Sequence, residues 1–104
     1  MRYTVVFTPE AEEQIAELYH YIAQAASSDV AQRYTEAIIT YCEGLHTFPH
    51  RSHVRDDIRS GLRVTNYKGR CAIAFDVAAE TVSIIGVFYG GQDYETLLQP
   101  DAED

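Results

Sequence analysis

Residues 61–89, GLRVTNYKGRCAIAFDVAAETVSIIGVFY, decide the fold. They hold three apolar runs, 62–67, 71–77 and 81–89, separated by Lys68-Gly69-Arg70 and Ala78-Ala79-Glu80, with no proline in any run. Short runs rich in β-branched and aromatic residues, split by brief spacers, predict a three-stranded antiparallel meander. In the second run Cys71, Ile73, Phe75 and Val77 alternate with Ala72, Ala74 and Asp76, the period of two expected of a strand buried on one side. In the third, strict alternation puts Val82, Ile84 and Phe88 on one face and Ile85, Val87 and Tyr89 on the other. Both of its faces are apolar, so this run is expected to be the central strand.

Upstream, residues 3–7 read as a short strand, and Thr8-Pro9-Glu10 carries a helix-start signal. Thr8 can cap free backbone N–H groups, Pro9 suits the first helical position, and Glu10, Glu12 and Glu13 favour the positive end of the helix dipole. Ala11, Ile15, Leu18, Tyr19 and Ile22 then recur at spacings of three and four, predicting an amphipathic helix that ends at residue 25 or 26. Tyr21 falls off that stripe. Ser27-Ser28-Asp29 is the break and the next cap. Val30, Tyr34, Ala37, Ile38, Tyr41, Leu45 and Phe48 predict a second helix of five turns stopped by Pro49. Two such helices with a short loop form an antiparallel hairpin whose apolar stripes need the sheet to complete the core. Residues 50–58 read as a polar connection, and Asp93 caps an expected final helix over 93–98. The order is therefore β-α-α-β-β-β-(α), an α+β domain with an αα-hairpin packed on a small antiparallel sheet. Residues 1–99 are expected to form a single domain, and 100–104 a flexible acidic tail.

At 104 residues the chain is long enough for a modest core without disulfides or metal. Its net charge of -8 disfavours nonspecific binding to phosphate backbones or anionic lipid. The distribution is uneven. Arg51, Arg55, Arg59, Arg63, Lys68 and Arg70 are six of the eight basic residues, and with Asp56 and Asp57 they give residues 51–70 a charge of +4 against -12 elsewhere. Cys42 and Cys71 lie in different elements and make no metal or disulfide-framework pattern. They read as buried thiols, and with no signal peptide or membrane-length apolar segment the expected location is the cytoplasm. His46, His50 and His53 cross a helix end and a proline and include Arg51 among them. A polar connection accounts for them better than a metal site does, and no cofactor is expected.

The ordered set of segments TPEAEEQIAELYHYIA, a second helix ending in FP, GLRVTNYKGRCAIAFDV and VSIIGVFYGGQDYETLL resembles the RelE/ParE toxin superfamily of type II toxin–antitoxin systems, and the ParE branch more closely. The resemblance spans nearly the whole chain. It implies a toxin, of the kind linked to plasmid stabilization, that a cognate antitoxin wraps and neutralises, in a toxin–antitoxin hetero-oligomer. For the ParE branch it implies DNA gyrase as the target, inhibited by binding. For the RelE branch it implies ribosome-dependent cleavage of messenger RNA. The commoner ParE ending reads roughly R-V-L-H-G-x-R-D, whereas here Gly86 and Gln92 stand in place of arginines and Tyr89 in place of histidine.

Metal-free RNA cleavage needs a base, an acid and a cation around one phosphate. Tyr89 as proton carrier with Arg63, Lys68 or Arg70 as cation are the candidates, with Arg63, Arg70 and Tyr89 as the core set for a RelE-like enzyme. The plainer reading is that Tyr89 packs at a strand end and the basic residues are solvated or paired with Asp56 and Asp57. Alternatively Arg59, Arg63, Lys68, Arg70, Tyr89 and Gln92 form a partner-binding surface for antitoxin, gyrase or both, since guanidinium forks pair bidentately with carboxylates. Three readings follow: an inhibitory binding protein without chemistry or direct nucleic-acid contact, a ribosome-dependent endoribonuclease, and a non-toxic homologue that only binds antitoxin. The acidic balance favours the first.

Overall fold

The computed structural model describes residues 3–47 and 53–90. The order is β1 (Thr4–Phe7), α1 (Pro9–Ala25), α2 (Ser28–Glu43), a 3-10 turn (Gly44–His46), β2 (His53–Val54), β3 (Arg63–Tyr67), β4 (Cys71–Ala78) and β5 (Thr81–Tyr89). The strands form one five-stranded sheet in the order β1-β5-β4-β3-β2. β1 runs parallel to β5 and every other pairing is antiparallel. The helical hairpin covers one face of this sheet. The expected final helix over 93–98, the tail 100–104, and Phe48, Pro49, Arg51 and Gln92 lie outside the described residues.

Local chemistry sets the helix ends. The Thr8 hydroxyl accepts the Ala11 N–H at 3.2 Å and the Ser27 hydroxyl accepts the Val30 N–H at 3.2 Å, each satisfying an orphan donor of the first turn. Thr8 also locks α1 to the sheet, because its hydroxyl donates to the Ile84 carbonyl at 3.0 Å and its N–H reaches the same carbonyl at 3.0 Å. The second helix is shorter than its stripe implies. It ends at Glu43, where the Gly44 N–H bonds back to Thr40, Tyr41 and Cys42 and the chain tightens into a 3-10 turn. Glycine is a poor helix former and tolerates the tightening. Leu45 still packs on the core, so the apolar spacing continues where the α-helix does not. The stripe itself is shifted. Val30 is 38% exposed, while Ala31, Thr35, Ile38 and Cys42 are buried. Thr35 is tolerated there because its hydroxyl donates to the Ala31 carbonyl at 2.9 Å.

The meander is present, with one correction. β4 alternates as expected, sending Cys71, Ile73 and Phe75 to the helices and Ala72 and Ala74 to the opposite face. β5 does not keep strict alternation. Ala74 pairs with Gly86 and Phe75 with Ile84, so Ile85 is an extra residue, a β-bulge. Val82 and Ile84 before the bulge and Val87 and Tyr89 after it all face the helices, while Ile85 and Phe88 face away. β5 is interior, but the middle strand is β4. A further departure is β2. His53 and Val54 pair with Val64 and Arg63, in a segment whose two strand residues are too few to show a period.

Both faces of the sheet therefore carry apolar clusters. The larger joins Phe75, Ile73, Ile84 and Val82 to Ala11, Leu18, Ile22, Ile38 and Cys42 of the hairpin. The smaller sets Phe88, Ala72, Ala74 and Val64 under Ile58 and Leu62. Each fully buried large side chain contributes about 1.5–3 kcal/mol relative to exposure. Among the described residues no helix is long and apolar enough to cross a membrane.

Candidate partner-binding surface

Strand pairing distributes the sequence-predicted residues over two ends of the sheet. The β3–β4 turn has Lys68 at φ 54° and Gly69 at φ 71°, closed by the Arg70 N–H on the Tyr67 carbonyl at 3.2 Å. Two successive positive φ values match a type I′ hairpin turn. At the same end Cys71 pairs with Tyr89, and the Gly90 N–H donates to the Arg70 carbonyl at 2.9 Å. Lys68, Arg70 and Tyr89 are thereby gathered. Arg63 is not with them. It begins β3, opposite Phe75, four residues before Tyr67, about 13 Å along a strand at roughly 3.3 Å per residue. Arg59 lies in the 55–62 loop beyond that far end, where its N–H bonds to the Arg55 carbonyl at 3.2 Å.

The loop that holds Arg59 is internally charge-paired. Arg55 forks onto Asp57 with contacts of 3.0 and 2.9 Å, and the hydrogen bonds from that guanidinium hold the Asp57 carboxyl below its usual range. Asp56 accepts the Gly61 N–H at 2.7 Å. Asp57 is thus taken by Arg55, and Asp56 by the backbone of Gly61.

Tyrosines dominate the gathered end. A continuous row of rings runs from Tyr41 to Tyr67 (5.2 Å between centroids), Tyr34 (6.1 Å), Tyr89 (5.7 Å) and Tyr21 (6.3 Å), with edge-on or tilted geometry at every step. The Lys68 ammonium lies 5.5 Å from the Tyr67 centroid. Tyr41 shares a 2.9 Å hydrogen bond with the Thr65 hydroxyl. Tyr34 is different. Its hydroxyl is buried without a hydrogen-bond partner in the described structure, and burial pushes its pKa up. The helical spacing of Tyr34 and Tyr41 marks them as hairpin residues, but their joining to Tyr67 and Tyr89 depends on strand register and is invisible in sequence.

Tyr21, 62% exposed, opens the row to solvent. Together with Gln14, Glu17, Leu18, Val87, Tyr89 and Gly90 it lines an open groove of about 400 Å³ between α1 and β5. β1 reaches only to the Phe7–Ile84 pair, so α1 flanks the rest of β5. The Val87 N–H is taken by the Gln14 side-chain carbonyl at 2.7 Å. Gly86, standing where the commoner ParE ending has arginine, is buried beneath Phe88. A Cβ added at Gly86 would come within 2.5 Å of the Phe88 ring.

This arrangement offers aromatic area, two cations and a groove, the composition of a protein-contact surface. The three residues named for RNA cleavage are split, with Arg70 and Tyr89 at one end and Arg63 at the other. Among the described residues no three histidine, cysteine or acidic side chains cluster as metal ligands. His46 has its Nδ1 3.0 Å from the Thr47 hydroxyl, and His53 sits in β2. Cys42 and Cys71 are buried and unbridged. Burial pushes the Cys42 thiol up to about 12 and the Cys71 thiol to about 11, which keeps both in the unreactive thiol form.

Comparison with known proteins agrees with the fold. The structure is similar to a chain of a chromosomal ParDE toxin–antitoxin system from P. aeruginosa, with TM-score 0.76, 13% identity, and 86% of this chain and 97% of that one covered. It is also similar to a chain of the RelBE2 toxin–antitoxin complex from Mycobacterium tuberculosis, with TM-score 0.63, 20% identity, and 86% and 99% covered. No curated protein matches the sequence. The family described as the ParE toxin of the type II toxin–antitoxin system parDE matches residues 5–94. With that match running from β1 past the end of β5, over the elements that build the groove and the tyrosine row, the chain belongs to the ParE toxin family.

Proposed function

We propose that this ParE-family toxin acts by occupying a protein target, DNA gyrase, and that a cognate antitoxin neutralises it by covering the tyrosine-lined end of the sheet. The observation that carries this reading is the placement of Lys68 and Arg70 beside the Tyr67–Tyr34–Tyr89–Tyr21 row, with Arg63 at the opposite end of β3. Aromatic rings and cations around a groove are anchors for a partner, especially one rich in carboxylates. A general base, an acid and a cation within reach of one phosphate are what cleavage requires. The net charge of -8 also opposes approach to ribosomal RNA. Arg59 and Gln92 are assigned to the wider partner surface, and the complex with antitoxin is a hetero-oligomer in the cytoplasm.

The test is induction of the chain without antitoxin, paired with supercoiling by purified gyrase. Gyrase inhibition reversed by antitoxin, with filamentation and DNA-damage signalling in cells, is the expected result. Immediate arrest of translation with cut messages would sink the proposal in favour of the RelE-like reading, which the fold likeness to a RelBE2 chain keeps in view. Unaffected growth and unaffected gyrase would leave a non-toxic antitoxin-binding homologue.

A further inference from the structure

The groove between α1 and β5 is electronegative on both walls. On the helix side Gln14, Glu17, Leu18 and Tyr21 stand three or four residues apart, which puts all four side chains on one face of α1. Glu17 and Tyr21 are exposed, and α1 carries Glu10, Glu12 and Glu13 besides, with no lysine or arginine. On the strand side the Val87 N–H points to α1, where the Gln14 side-chain carbonyl takes it at 2.7 Å. The N–H and C=O of one strand residue share a direction, so the Val87 carbonyl turns the same way.

Two rings stand at the end of the groove. Tyr21 and Tyr89 have centroids 6.3 Å apart and planes tilted by 53°, close enough for one cation to lie within about 6 Å of both. Leu18 and Val87 are buried apolar residues of its floor, a surface that an aliphatic stem covers. A carboxylate, a strand carbonyl and two ring faces around an apolar floor are the elements of a site for an organic cation. The protein's own cations leave it vacant. Lys68 lies over Tyr67, three rings from Tyr21 along the row, and among the described lining residues there is no lysine or arginine.

The dimensions select the kind of ligand. From Gln14 to Tyr21 the helix wall runs about 10 Å at roughly 1.5 Å per residue, and the groove holds about 400 Å³. With the Val87 N–H already bonded to Gln14, β5 does not offer that donor to an added peptide strand. Space and polarity thus suit a small molecule better than a peptide backbone.

We propose that this groove binds a small free alkylguanidinium or alkylammonium ion, with its head against Glu17 and the Tyr21 and Tyr89 rings and its stem on Leu18 and Val87. A guanidinium suits it better of the two, because its plane stacks on a ring while its edge donates to a carboxylate. Occupancy of the groove does not depend on the identity of the toxin's target.

The test is a titration of the isotope-labelled full chain with n-butylguanidinium chloride, followed by amide chemical shifts. The expected result is saturable binding with Kd on the order of 1–10 mM, with shifts at Glu17, Leu18, Tyr21, Val87 and Gly90. Uncharged n-butylurea, of the same shape, should bind about fivefold more weakly or worse, and added salt should weaken the cation. Glu17→Gln and Tyr21→Leu, both at exposed positions, should each weaken binding by about threefold or more. Tyr21→Phe, which keeps the ring, and Glu36→Gln, on the exposed face of α2, should not. The amide spectrum of each variant reports whether it is folded. Absence of saturable shifts, equal response to butylurea, or indifference to Glu17→Gln and Tyr21→Leu would each overturn the proposal. An equal loss with Glu36→Gln would do the same, by reducing the effect to general attraction between an acidic chain and a cation. So would acetyl-arginine-methylamide binding about tenfold tighter than butylguanidinium, which would give the groove to a side chain of a partner protein.

Discussion

The side-chain carbonyl of Gln14 accepts the Val87 N–H at 2.7 Å, so a helix residue substitutes for the strand that β5 lacks after β1 ends. Gln14→Leu keeps the bulk and removes the acceptor, leaving a part-buried donor unpaired. The expected loss is about 1–2 kcal/mol in urea unfolding. An unchanged midpoint would mean that water replaces the bond.

Gly86 and Phe88 form a second coupled pair. Gly86→Ala should destabilise by about 1–3 kcal/mol, because the new methyl meets the Phe88 ring within 2.5 Å. Phe88→Leu should lower the cost of Gly86→Ala relative to the wild-type background. Purely additive effects in the four-variant cycle would show that the ring moves aside freely.

Ala79 occupies the β4–β5 turn at φ 54°, a conformation that suits glycine. Ala79→Gly is expected to raise stability by about 0.5–1 kcal/mol despite the greater entropy of the unfolded chain. Chemical denaturation checks this, and a drop in midpoint contradicts it.

The two buried thiols give stability a pH dependence. Their folded pKa values lie above the unfolded value of about 8.5, at about 12 for Cys42 and about 11 for Cys71. Their contribution is therefore fully present below pH ~8.5 and is lost as pH rises toward the folded values. Between pH 8 and 10 the loss should be on the order of 1 kcal/mol per thiol. Neither cysteine should react with a thiol reagent until the protein unfolds, and rapid labelling of the native chain would contradict the burial.

At the tyrosine-lined end, Arg70→Glu should weaken antitoxin binding by about tenfold or more, or about 1.4 kcal/mol. Arg59→Glu, in the loop at the far end of β3, should do less. Calorimetric titration compares the two, and an equal effect would spread the contact over the whole basic segment.

The strands and helices were largely legible in the sequence because each repeats a local physical signal: alternation in β4, the Thr8-Pro9 start of α1, the Ser27 cap of α2. Three features were not. Gly44 ended α2 while the apolar spacing ran on through Leu45, so pattern and backbone parted. β2 was only two residues long and left no period to read. The Ile85 bulge shifted parity in the middle of a run that remained apolar throughout. The candidate surface was legible in part. Charge marked Lys68 and Arg70, and the meander turn placed them together. The meeting of Tyr21, Tyr34, Tyr67 and Tyr89 needed the packing of two helices on three strands.

The bulge has a meaning for how the surface is inherited. Since the bulge at Ile85 fixes which side of the sheet every later residue of β5 occupies, straightening it into plain alternation with no residue lost would exchange the two sides: Tyr89 would leave the ring row and Phe88 would turn in toward the helices, whereas deletion of Ile85 would leave both in place. No side chain would have changed chemically. Membership of the contact surface is thus encoded in a backbone irregularity as well as in residue types, and the same text without the bulge would present a different surface.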